Sequence, residues 1–129
     1  MLLSLKCQFQ KKNKLHVEKI NCVVDFGEIV NPDILKAQVE GSIIMGLSVA
    51  LKEKISFDKG KVSQSNFDDY KMIKLKETPE INVSIVESDY EVKGIDGSLM
   101  PIPPSITNAI FAATGKRIRR LPIGKQKLV

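Results

Sequence analysis

The stretch from Asn31 to Lys54, NPDILKAQVEGSIIMGLSVALKEK, constrains the fold more than any other part of this sequence. Asn31 can cap a helix with its side-chain oxygen, Pro32 suits the first helical position, and Asp33 faces the positive end of the helix dipole. Apolar and small residues then recur at helical spacing: Ile34, Ala37, Gly41, Ile44, Ser48 and Leu51. Charge returns at Lys52, Glu53 and Lys54, which predicts one long helix of about six turns. Two features are unusual for a core helix. Gly41 and Gly46 each cost about 1 kcal/mol relative to Ala in a helix interior. Gln38 and Glu40 sit amid apolar neighbours near the helix start. The glycines read either as tight packing against another element or as room for a ligand to approach the backbone.

The flanking sequence supplies strands. Residues 2–10 partly alternate, 11–13 form a turn, and 14–25 alternate more clearly through Leu15, Val17 and Ile20, then Cys22, Val23 and Val24. Together they predict a hairpin, ended by Asp25-Phe26-Gly27. No glycine-rich loop or catalytic loop accompanies that DFG, so it carries no kinase reading. Ile55 to Gln64 predicts a second hairpin around Asp58-Lys59-Gly60, and residues 65–76 show no firm period. Pro79 breaks the chain before an alternating strand through Ile81, Val83, Ile85 and either Val86 or Glu87. Residues 88–101 are loop-like. Pro103 and Pro104 open a last helix with apolar face Ile106, Ala109, Ile110 and Ala113, stopped by Gly115. Arg117 to Ile123 is expected to return as a short edge segment. The class is therefore α+β: hairpin, long central helix, second hairpin, strand and C-terminal helix on a mixed sheet, in one domain over residues 1–129.

Composition excludes several functions. At 129 residues and 43% hydrophobic, the chain can bury a core. Its net charge is +5, and Lys116, Arg117, Arg119, Arg120, Lys125 and Lys127 gather at the C-terminal end. Such a run can touch nucleic acid, but no aromatic residue is interleaved to stack bases, so a solvated tail is the simpler expectation. Cys7 and Cys22 lack metal-like spacing and read as reduced, buried thiols, and His16 reads as a strand residue rather than a ligand. The start, MLLSLKCQF, is too soon charged for a signal peptide or a membrane span, which gives a cytoplasmic expectation without membrane attachment. The carboxylates Asp25, Glu40, Asp68, Asp69, Glu87, Asp89 and Asp96 are scattered, and spacing alone selects no catalytic pair and no metal set.

Three longer stretches go further. CVVDFGEIVNPDILKAQVEGSIIMGLSVAL, QSNFDDY and PIPPSITNAIFAATGKRIRRLPI occur in an order and at a spacing that resemble the molybdenum-binding large subunit of the xanthine dehydrogenase and aldehyde oxidase family. The nearest branch is the isoquinoline 1-oxidoreductase beta-subunit type. The resemblance runs from about Leu15 to Ile123 and covers only a C-terminal segment of that much longer subunit. It implies a piece of a molybdopterin-dependent oxidoreductase, which hydroxylates aldehydes or N-heterocycles with oxygen from water. Such a piece would be inactive alone, and would be partnered by the missing upstream part of the large subunit or by an iron–sulfur subunit.

In that family the Gln of a Q-x-E-G motif approaches the molybdopterin. Gln38, Glu40 and Gly41 match the motif. A G-x-G-E loop before the last helix carries the general base beside molybdenum, and counting back from Asn108 puts Asp96 at the position of its Glu. Here the second glycine of the loop is replaced by Ile95 or missing, and Asp is one methylene shorter than Glu. SNFDDY stands where the family lines its substrate side. The remaining matches are architectural. Two alternatives stand beside the fragment reading. One is a non-catalytic remnant or protein-binding module of the same fold. The other is a basic protein that binds nucleic acid through its C-terminal residues. A segment normally covered by other domains should also expose apolar surface on the long helix or on strand edges, and should therefore self-associate, swap elements or bind a partner.

Overall fold

A computed structural model describes residues 2–10, 14–91 and 101–128. Strand β1 (Leu2–Gln10) pairs antiparallel with β2 (Lys14–Val24). Helix α1 (Pro32–Leu51) follows, then a two-residue ladder of β3 (Phe57–Asp58) with β4 (Lys61–Val62). Strand β5 (Glu80–Ile85) returns parallel to β2, and α2 (Ile102–Thr114) ends the regular structure. The main sheet has the order β1-β2-β5, so the predicted mixed sheet is present, with β2 at its centre. The turn expected at 11–13 lies outside the described residues.

Strand β2 shows why local pattern matters. Val17, Ile20, Cys22 and Val24 are all buried, although Val17 and Ile20 are three residues apart. Lys6 faces Lys19 and Cys7 faces Val17, so Glu18 is an extra residue in the ladder. This bulge resets the alternation and returns Val17 to the core side. The opposite sheet face is polar: Lys19 pairs with Glu80 at 2.9 Å, and Asn82 donates to Asn21. Both helices share one core with the apolar face.

Helix α1 starts as the sequence indicates. The Asn31 side-chain oxygen accepts from the backbone N–H groups of Asp33 and Ile34, at 3.1 and 3.0 Å. Its buried row differs from the predicted one. Leu35, Val39, Ile43, Gly46, Leu47, Ser48 and Ala50 face the core, whereas Ile34 and Gly41 are exposed. Apolar residues nearly encircle this helix, so periodicity alone could not choose between its faces. Gly46 packs against α2, where an added Cβ would lie 2.7 Å from the Ile102 Cβ. Buried Ser48 accepts from the backbone N–H of Ile73 through its hydroxyl, at 3.0 Å.

In α2 the buried row is Ile102, Ile106 and Ile110, and Ala113 of the predicted face is exposed. Gly115 caps the helix at φ 71°, as expected of a glycine stop. Residues 117–123 form no edge strand. The tail instead crosses to the end of α1, where Ile123 and Gly124 donate backbone N–H groups to the carbonyls of Ala50 and Leu51, at 2.8 and 3.0 Å. Those carbonyls lack donors within the helix, so the tail satisfies them and buries Ile123 and Leu128. The tail is thus docked rather than merely solvated, while its cations stay exposed.

Candidate functional site

The exposed side of α1 carries a second row, at spacings of four, three, four and four residues: Ile34, Gln38, Gly41, Met45 and Val49. At about 100° per residue these five positions fall within an arc of about 80°, on a different side of the helix from Leu35, Val39, Ile43, Leu47 and Ala50. Ile34 and Met45 are 61% and 59% exposed, and Val30, just before the helix, is 88% exposed. The expected apolar surface on the long helix is therefore present.

Gln38 and Gly41 are one turn apart in this row, which brings two of the three motif residues together. The Gln38 side chain makes no hydrogen bond among the described residues, while its backbone carbonyl accepts from the Ser42 hydroxyl. A Cβ added at Gly41 would meet nothing within 4 Å. An uncommitted amide thus stands beside a stretch of bare helix backbone. The amide offers donors and an acceptor, and the missing side chain lets a planar polar group come close. These residues fit the edge of a pterin. Glu40 points elsewhere: it is half-buried and pairs with Lys36, one turn earlier, at 3.9 Å. Asp96, Gly94 and Gly97 lie outside the described residues.

The loop after β4 is shaped by SNFDDY. The Asp69 carboxylate accepts the backbone N–H groups of Ser65 and Asn66, and these bonds hold its pKa below the usual aspartate value. Tyr70 donates its hydroxyl to Glu53 at 2.6 Å, and that bond raises the phenol pKa. Phe67, at the tip, is 88% exposed. Cys22 is a free thiol, and burial pushes its pKa up. No group of three or more His, Cys, Asp or Glu side chains among the described residues could hold a metal ion. His16 lines a groove at the far end of α1. Sequence reasoning expected exposed apolar surface on this helix but did not identify the residues that form it, although Ile34, Met45 and Val49 carry the same helical spacing as the core.

Residues 10–79 match the family of molybdopterin cofactor-binding domains. Over 115 residues the chain is 44% identical to the isoquinoline 1-oxidoreductase subunit beta of Brevundimonas diminuta, a match that covers 88% of this chain and 15% of that one. The fold superimposes on quinoline 2-oxidoreductase from Pseudomonas putida with a TM-score of 0.79 at 22% identity, covering 88% of this chain and 16% of that one. The aldehyde oxidoreductase of Desulfovibrio desulfuricans gives 0.75 at 28% identity, over 89% and 13%. The chain therefore spans about 15% of the length of the relatives it matches.

Proposed function

The chain belongs to the molybdopterin cofactor-binding domain family, and from that membership we propose that it forms one wall of the cofactor site of a molybdenum hydroxylase. It would do so together with the rest of a large subunit. The observation that carries this reading is the pairing of an uncommitted Gln38 amide with the open backbone at Gly41 on an exposed helix face. Gln38 hydrogen-bonds the polar edge of the pterin, and Gly41 keeps the helix clear for it. Glu40 lies on another side of this turn, where it pairs with Lys36. When bound, the cofactor supplies the redox centre that takes up two electrons as a substrate is hydroxylated with oxygen from water.

The relatives are named for isoquinoline, quinoline and aldehyde substrates, so an electron-poor N-heterocycle or an aldehyde is the proposed substrate class. The proposed partners are the remainder of a large subunit and an iron–sulfur subunit that carries electrons away. Asp96 takes the place of the general base by sequence order alone. Its shorter side chain favours a second reading, in which the chain keeps the fold and the partner but not the chemistry.

The test is to co-express the chain with a polypeptide carrying the rest of the large subunit, and to assay isoquinoline hydroxylation with an artificial electron acceptor. Gln38→Ala should lower activity about tenfold or more, since one hydrogen bond is worth roughly a factor of ten. Unchanged activity in both Gln38→Ala and Gly41→Phe would refute the role given to this helix face. A folded, assembled complex with no activity, even with Asp96→Glu, would leave the second reading standing.

A further inference from the structure

A second surface lies about 20 Å along α1 from Gln38, at the helix C-terminus. It is a groove of about 1030 Å³ between the loop at 67–77, the start of β2 and the docked tail. Its floor is aliphatic and includes Leu47, Leu51, Ile123 and Leu128. Its lining includes five lysines, Lys52, Lys71, Lys74, Lys125 and Lys127, against two carboxylates, Asp68 and Glu77. Lys52 is already paired with Glu77. The other four lysines are exposed and make no ion pair among the described residues. No Asp or Glu side chain follows Asp96 in the sequence.

We propose that this groove binds an acidic polypeptide segment with aliphatic anchors, supplied by a partner protein. Two observations select that occupant. Four uncompensated lysines at the rim complement carboxylates, and their like-charge repulsion is relieved when an anion enters. The aliphatic floor complements leucine-like side chains, which a nucleic acid does not offer. The surface acts independently of the cofactor face and needs no cofactor to be measured.

Fluorescence anisotropy of the chain with a labelled peptide of alternating Glu and Leu tests the proposal. We expect saturable binding that weakens about tenfold as salt rises from about 0.05 M to about 0.5 M. Lys71→Glu with Lys74→Glu, and Lys125→Glu with Lys127→Glu, should each lose about tenfold or more, while Lys61→Glu on β4 should bind like the parent. All variants are checked by circular dichroism, and charge-neutral Lys→Gln pairs replace any that misfold. Parent-like binding by both double variants, or an equal loss in Lys61→Glu, would overturn the assignment. So would equal or tighter binding of a charge-matched oligothymidylate.

Discussion

Gly41 and Gly46 are five residues apart in one helix and meet opposite surroundings. A Cβ at position 46 would press on Ile102 from 2.7 Å, whereas one at position 41 would enter open space. Gly46→Ala should therefore cost about 1–3 kcal/mol through overpacking. Gly41→Ala should instead stabilise the chain by up to about 1 kcal/mol through helix propensity. Urea denaturation of the two variants checks the contrast. Both glycines are visible in the sequence as oddities. Which one packs and which one stays open was not legible, because that depends on where α2 crosses. Gln38 stood out as a polar residue amid apolar neighbours, and its expected role came from the motif. At Asp69 the folded pKa is depressed, so its contribution to the 65–69 turn is complete above the unfolded value and is lost as pH falls through the folded one. Proteolysis within this loop should accelerate on acidification below about pH 4. Asp69→Asn should be cleaved readily at neutral pH and lose that dependence.

Among the elements, the strands, both helices and the glycine stop could be read locally, because each is signalled by neighbours in sequence. The Asn31 cap and the Gly115 stop bracket their helices as expected. The faces of α1 were not legible, since its apolar residues form two rows and only the sheet decides which is buried. The tail was misread for a related reason. A proline-containing basic segment resembles an edge strand, but its backbone N–H groups serve the open carbonyls of α1. Ile123, 1% exposed, anchors that contact. Ile123→Ala should cost about 2–5 kcal/mol. It should also speed amide exchange in the last turn of α1 before other parts of the helix, as hydrogen-exchange mass spectrometry would show.

At the scale of the whole molecule, one sheet face and two helices enclose a core, while a second apolar row on α1 stays uncovered. The chain spans about 15% of its relatives' length. With this row uncovered, the chain should self-associate reversibly through it. Ile34→Glu combined with Met45→Glu should shift sedimentation towards the monomer without loss of helicity. The groove at the other end of α1 escaped the sequence reading because its lysines come from three separate segments. The most direct test of the account is the molybdenum and pterin content of the chain purified with the rest of a large subunit. Near-stoichiometric molybdenum and pterin, reduced in Gln38→Ala and Gly41→Phe while assembly persists, is the predicted result. An assembled, folded complex that holds neither, or holds both equally well in those variants, would contradict the claim that this helix face receives the cofactor.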